Sequence, residues 1–282
     1  MSSTASLESV LVVAAVQLSS QADVVANLAR MKRWAGEAAR AGAKVVALPE
    51  NFALMGEDDT QKRGVAESVA ADAHGPILTA VRDVARDNNV FVIAGGMPER
   101  TDDPLRPYNT SVVVAPTGDV VARYRKIHLF DVDLPDGTKA EESGATTRGL
   151  AEPPPLVEVL GVPFGLTICY DLRFPELYRA LTRLGARVVT VPAAFTLATG
   201  KDHWHVLLRA RAIENQVFIL APAQTGKHPR GRQTYGKSLI VDPWGDVLAQ
   251  CGEGEGFALA RLDLHAQDRV RSALPCLQHR RL

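Results

Sequence analysis

Cysteine is scarce: Cys169, Cys251 and Cys276 are the three in 282 residues. An odd, sparse set argues against a disulfide framework and fits a reducing compartment, so a cytoplasmic protein is expected. No Cys-x-x-Cys pair occurs, and His203 and His205, two apart, would fall on different faces of a helix. Metal-ligand spacing is missing, and neither a metal nor any other cofactor is expected. Charge of one sign is not in excess either, since 32 Lys and Arg balance 32 Asp and Glu. No basic field points to nucleic acid. Long apolar runs are absent as well. Val10 to Leu18, broken at Gln17, is too short to span a bilayer. Met1 to Val10 lacks a basic segment followed by a long apolar stretch, so no signal peptide is expected. What remains is 46% hydrophobic and 23% charged residues, the balance of a soluble globular protein.

The chain does contain internal repetition. Gly42-Ala-Lys-Val-Val-Ala-Leu-Pro49 is echoed by Gly185-Ala-Arg-Val-Val-Thr-Val-Pro192. Asn89-Val-Phe-Val-Ile-Ala94 is echoed by Gln216-Val-Phe-Ile-Leu-Ala221. The segments 111–122 and 238–249 share a Pro-x-Gly-Asp turn between two apolar runs, which reads as a β-hairpin. Each half therefore reads strand, helix, strand, helix, strand, hairpin. The first strands are Leu11 to Leu18 and Phe164 to Ile168. The first helices are roughly Val24 to Ala41 and Pro175 to Leu184. The second helices lie within Gln61 to Asn88 and at Asp202 to Asn215. Helices alternating with apolar strands imply an α/β protein with helices covering a sheet. Two such half-units would pack sheet on sheet, helices outside, with pseudo-two-fold internal symmetry. No Gly/Ser linker separates them, so one domain over 1–282 is expected. The polar connection from Leu134 to Pro155 is long enough to read as a functional loop.

Cys169 stands where an apolar run gives way to Tyr-Asp-Leu-Arg-Phe-Pro-Glu176. Asp171 and the helix formers after it read as a helix start, with Pro175 tolerated in the first turn. A thiol there is placed as a nucleophile, because backbone N–H groups at a helix start bind developing negative charge. A buried structural cysteine is the competing reading. The echoes also show where symmetry breaks. Pro49 is followed by Glu50, whereas Pro192 is followed by Ala193. Strand ends are where α/β proteins meet their ligands. The first hairpin ends at Lys126, and the long loop carries Glu141-Glu142-Ser143. The Gly-rich segment after Cys251 reads as a turn between strands, since no P-loop lysine follows it.

Leu48-Pro-Glu-Asn51, Tyr124-Arg-Lys-Ile-His-Leu-Phe130 and Ile168-Cys-Tyr-Asp-Leu-Arg-Phe-Pro-Glu176 resemble, in order, the three signature segments of the nitrilase superfamily of carbon–nitrogen hydrolases. The segments 207–216 and 235–245 resemble it too. The resemblance implies a four-layer α-β-β-α sandwich and a Glu-Lys-Cys catalytic set, carried by Glu50, Lys126 and Cys169. It also implies a further loop glutamate, matched by Glu142, with Glu141 adjacent. The chemistry suits these residue types. A thiol of pKa about 8.5 needs a base to become a nucleophile at neutral pH, and Glu50 is the candidate. The Lys126 ammonium would favour thiolate and stabilise a tetrahedral oxyanion, with the Tyr170 backbone N–H as second donor. Glu50 would then protonate the leaving amine and activate water against the thioester. Glu142 would hold Lys126 charged or orient substrate.

Arg173, four residues after Cys169, would clamp a substrate carboxylate, a role the resemblance to carbamoylases supports. Tyr108 and Asn109, and Phe195 and Thr196, sit at strand ends and are candidate pocket residues. Ala221-Pro-Ala-Gln-Thr-Gly226 resembles the Nit branch of the superfamily. That branch implies a small carboxylate-bearing amide as substrate, either deaminated glutathione or the omega-amide of a keto acid. His203-Trp204-His205 replaces the His-Trp-Glu often found there, a change that would matter if it faces the pocket. An N-carbamoyl-amine hydrolase is the alternative enzyme, and a non-catalytic binding or signalling protein the alternative of another class. The resemblance also implies a homo-oligomer.

Overall fold

The computed structural model describes residues 10–133, 139–150 and 156–281. The N-terminal segment read for a signal peptide therefore lies outside the described residues, save Val10, as do residues 134–138 and 151–155 of the long connection.

The first half runs β1 (Val10–Gln17), α1 (Val24–Arg40), β2 (Val45–Leu48), α2 (Pro76–Asn88), β3 (Phe91–Glu99), β4 (Tyr108–Val114) and β5 (Val120–Arg125). Two short strands follow, β6 (Asp131–Asp133) and β7 (Lys139–Glu141), paired antiparallel. The second half runs β8 (Val157–Val159), β9 (Val162–Leu166), α3 (Pro175–Arg183), β10 (Val188–Thr190), α4 (Leu197–Asn215) and β11 (Phe218–Ala221). A small hairpin of β12 (Thr225–Lys227) and β13 (Gln233–Tyr235) precedes β14 (Leu239–Val241) and β15 (Val247–Gln250). The described chain closes with β16 (Gly256–Asp263), α5 (Leu264–Ala273) and α6 (Cys276–His279).

The sheet orders are β16-β1-β2-β3-β4-β5 and β15-β14-β11-β10-β9-β8. In each, three parallel strands continue into an antiparallel hairpin, β4–β5 or β14–β15. The central strands are apolar on both faces because both faces are covered. Along β1, Val13 and Ala15 join one core with Phe164, Leu166 and Ile219 of the other sheet. The alternate residues Ala14 and Val16 join a second core with Met31 of α1 and Leu78 of α2. Helices α3 and α4 cover the second sheet through Tyr178, Trp204 and Leu208. The result is the α-β-β-α sandwich.

The sequence echoes have a backbone cause. Asn89 and Gln216 each close a helix in the left-handed region, at φ 51° and 50°. Gly118 and Gly245 turn the two hairpins at φ 87° and 96°. A Cβ on Gly118 would lie 2.1 Å from Arg86 Nε of α2, and one on Gly245 2.6 Å from Ile213 Cδ1 of α4. Each hairpin tip thus packs on its own half's second helix.

Several boundaries differ from expectation. The strand before Cys169 is Val162–Leu166, not Phe164 to Ile168. The α-helix behind the thiol begins only at Pro175, after a single 3-10 turn over Cys169–Arg173. That turn forms because Asp171 folds back on Ile168 instead of capping an α-helix. Helix α4 starts at Leu197, five residues before the expected Asp202, because the Thr196 side chain caps it by accepting from the Thr199 amide. The Gly-rich segment after Cys251 joins β15 to β16, and Gln17 Nε2 donates to its Gly252 and Gly254 carbonyls.

Candidate active site

The two sheets meet beyond the end of β1, where the Thr225 amide donates to the Leu18 carbonyl at 2.8 Å. Four segments converge beside that junction. Glu50 follows β2, Lys126 follows β5, Glu142 opens a 3-10 turn after β7, and Cys169 opens the turn after β9. Lys126 is 2% exposed and bridges two carboxylates, 2.9 Å from Glu50 Oε1 and 2.8 Å from Glu142 Oε2. Glu142 is the buried member of its pair, and Glu141 points to the surface. The Phe130 amide donates to Glu142 Oε2 at 2.7 Å. The Ala194 amide donates to Glu50 Oε2 at 3.0 Å, and the Glu50 carbonyl accepts from Gln224 Nε2. The position that broke the echo thus draws donors from the other half.

Cys169 has a φ of 47°, in the left-handed region, a conformation costing a non-glycine residue on the order of 1–3 kcal/mol. Its amide donates to the Pro192 carbonyl at 2.8 Å, which ties the strained residue to the neighbouring strand end. Among the described residues no carbonyl takes the next amide, that of Tyr170. The Glu50 carboxylate is close enough to the thiol to act on its charge.

Charge in this cluster is set by opposing causes. Burial disfavours charge on Lys126, but Glu142 and Glu50 overcome it and hold the ammonium well above its usual pKa. Burial works against the Glu142 carboxylate too, and Lys126 and Lys62 reverse it, leaving the carboxyl below its ordinary range. For Cys169 burial pushes the thiol well up, Glu50 adds to this, and Lys126 opposes without winning. The resting sulfur therefore keeps its proton, where the lysine alone would have favoured thiolate.

A cavity of about 790 Å³ opens onto Glu50, Lys126, Glu142 and Cys169. Tyr170, Arg173, Phe195 and Thr196 line it. The Arg173 guanidinium lies 5.1 Å from the Phe195 ring centre and 6.0 Å from that of Tyr170. Two expected pocket residues are elsewhere. Tyr108 faces a separate cleft, its ring 4.0 Å under the Arg125 guanidinium, because alternation along β4 turns it away from its neighbour. Asn109 does not line the cavity but lies buried behind the carboxylates, donating through Nδ2 to Glu50 Oε1 at 2.9 Å and Glu142 Oε1 at 3.2 Å. It aligns the two acids. Gly96, at φ 67°, makes room for this pair, since a Cβ there would come within 2.8 Å of both Asn109 Oδ1 and Glu50 Cγ. His205 does not line the cavity, its Nε2 lying 2.6 Å from Gln250 Oε1.

Several residues found here had no expected part in the site. Asp171 is fully buried and joins Tyr124 to His128. Lys62, Lys139, Lys201, Arg230 and Arg232 also line the cavity, with Asp59 as counter-charge to Lys62 and Arg232, Asp133 to Lys139 and Glu57 to Arg230. The basic turn Pro229-Arg-Gly-Arg232 was the available signal. Among the described residues no group of three or more His, Cys, Asp or Glu is placed to hold a metal ion, and no helix is long and apolar enough to cross a membrane.

The sequence matches the family model of carbon–nitrogen hydrolases over residues 12–272. It is 45% identical over 268 residues to a deaminated glutathione amidase of Synechocystis, covering 95% of this chain and 97% of that one. The fold is similar to Saccharomyces cerevisiae Nit3, a member of branch 10 of the nitrilase superfamily. The TM-score is 0.86 at 32% identity, covering 97% of each chain. It is also similar to the C. elegans NitFhit protein, with a TM-score of 0.89 at 38% identity, covering 96% of this chain and 65% of that longer one.

Proposed function

The chain belongs to the carbon–nitrogen hydrolase family, and from that premise we propose that it is an amidase for a small amide carrying carboxylates, of the deaminated-glutathione type, with Cys169 as its nucleophile. The observation that carries the substrate class is the charge of the cavity lining. Lys62, Lys139, Arg173, Lys201, Arg230 and Arg232 line it, against the single lining carboxylate of Asp59 outside the Glu50–Glu142 centre, among the described residues. Asp133 beside Lys139 and Glu57 beside Arg230 offset two of these charges, and the balance stays positive. Such a lining attracts an amide with a carboxylate at each end and disfavours a cationic one.

In the proposed reaction, Glu50 takes the thiol proton as Sγ attacks the amide carbon. The carbonyl oxygen becomes an oxyanion held by the Lys126 ammonium and the Tyr170 amide. The C–N bond then breaks, and Glu50 returns the proton to the departing nitrogen. Water, deprotonated by Glu50, attacks the thioester; the C–S bond breaks, the acid product leaves, and Glu50 returns the proton to Sγ to regenerate the thiol. Lys126 remains an ammonium throughout, supported by Glu142. No cofactor enters these steps. Arg173 clamps a carboxylate beside the aromatic walls of Phe195 and Tyr170.

Product release measured in parallel on deaminated glutathione, on omega-amides of keto acids and on N-carbamoyl amines tests this reading. Preference for the carboxylate-bearing amides is expected, and preference for N-carbamoyl amines overturns it. Both halves contribute to the centre, which supports one functional domain. The scarce, odd-numbered cysteines, which fit a reducing compartment, support a cytoplasmic setting. A homo-oligomer is supported by exposed Val206 and Ile213 on α4 and Trp244 on the β14–β15 turn. Light scattering of the purified chain should give a multiple of 30.4 kDa, and a monomer mass removes that element.

A further inference from the structure

Asp171 is two residues beyond Cys169 and has no surface exposure. A buried carboxylate is costly unless donors satisfy it. Here Oδ2 accepts from the Ile168 amide at 2.8 Å and from the Tyr124 hydroxyl at 2.7 Å. Oδ1 accepts from the His128 amide at 3.2 Å and faces His128 Nδ1 at 2.7 Å. The donors come from two chain segments. Ile168 immediately precedes the nucleophile, while Tyr124 and His128 flank Lys126, two residues to either side. The Asp171 amide also donates back to the Ile168 carbonyl at 3.1 Å, closing a ring around the left-handed Cys169. Phe174 stacks on a face of the His128 ring, 3.6 Å between centroids, while Asp171 holds its Nδ1 edge.

We infer that Asp171 is the positioning residue that holds the Lys126 segment in register with the Cys169 turn. The inference rests on the roles proposed above for Lys126 and Cys169. Its physical basis is the tolerance of such centres, in which a shift of about 1 Å costs roughly 100-fold in rate. β5 and the strand before the nucleophile turn belong to different sheets, and the bonds of the Lys126 side chain run to Glu50 and Glu142, not to the cysteine turn. Asp171 thus joins the two segments by hydrogen bonds, beside the His128–Phe174 stack and the Phe130–Tyr170 edge contact, and helps keep the strained turn in place.

The test compares Asp171→Asn and Tyr124→Phe with the parent enzyme. Asp171→Asn is expected to lower kcat by about 100-fold with KM changed less than about 3-fold. It should also slow iodoacetamide alkylation of Cys169 at neutral pH, because an ammonium displaced from the sulfur favours thiolate less. Tyr124→Phe, which keeps the ring and removes one donor, should show both effects in smaller measure. The double variant should be no slower than Asp171→Asn alone, since both changes act at one carboxylate. A merely structural role would lower stability without moving the alkylation rate or separating kcat from KM. Folded Asp171→Asn with parental kcat and alkylation rate overturns the inference. Should Asp171→Asn fail to fold, parental kinetics in Tyr124→Phe overturn it. Cys169→Ala run alongside separates the two readings: if it stays active, the catalytic assignment falls and the inference with it; if it is dead while the Asp171 and Tyr124 variants are parental, the positioning inference alone falls.

Discussion

Cys169→Ala is expected to lose amide hydrolysis by at least about 1000-fold in kcat, leaving only what binding and the oxyanion donors supply. The reason is the absence of a substitute. Cys251 is buried, its thiol pushed up to about 11 by burial, and neither it nor Cys276 lines the cavity. Their alanine variants should therefore keep parental rates. Rapid quench of the parent enzyme followed by intact-mass measurement should reveal an acyl adduct that the Cys169→Ala variant never forms. Adding Glu50→Gln to Cys169→Ala should cost little more, because base and nucleophile act as one unit. Resting reactivity is a second mark. Burial and Glu50 hold the thiol above its usual range despite Lys126, so alkylation of the free enzyme should be slow at neutral pH and rise only in the alkaline range. Parental hydrolysis by Cys169→Ala would sink the assignment.

The half-repeat was legible because its markers are backbone requirements. Gly118 and Gly245 must turn with positive φ against a helix, and Asn89 and Gln216 must end helices in the left-handed region. Such demands leave the same residue types at the same spacing. Glu50, Lys126, Glu142 and Cys169 were legible as segments, and the structure brings them together. What separated a wall residue from a supporting one was not legible. Tyr108 and Asn109 are adjacent in sequence, yet strand alternation sends one to a separate cleft and the other behind the carboxylates. Position at a strand end does not say which face meets the cavity. The 3-10 turn at Cys169 was hidden for a related reason: the sequence shows a helix former and a proline, but the turn is decided by Asp171 accepting from Ile168 and from a distant tyrosine. The cationic cavity lining draws Lys62 from one half and Arg232 from the other, and no local pattern joins them.

Lys126→Met is expected to abolish activity and to reverse the way stability depends on pH. In the parent the ammonium lies between Glu50 and Glu142 at 2.9 and 2.8 Å, all three groups buried. Methionine matches the stem in volume and removes the charge. The loss of an oxyanion donor alone costs on the order of 100- to 1000-fold in kcat, and here the two acids bound to the lysine, Glu50 and Glu142, are disturbed as well. Two buried carboxylates without their cation destabilise the fold by about 3–5 kcal/mol at neutral pH. The sign follows from linkage. In the parent, Glu142 has a folded pKa held below its ordinary value, so its contribution is full above the unfolded pKa and is lost as pH falls through the folded one. In Lys126→Met, burial and mutual repulsion raise the folded carboxyl pKa values, so the folded state binds protons that the unfolded chain has released. The penalty is then largest at about pH 8 and shrinks as pH falls through the raised values towards the unfolded carboxyl range of about 4. Urea midpoints at pH 5 and pH 8 measure this directly. The difference between parent and variant should narrow at pH 5, while Lys126→Arg, which keeps the charge but not the point geometry, should retain most of the stability and little of the activity. A variant as stable as the parent at both pH values would show that the lysine is not the counter-ion of the two acids.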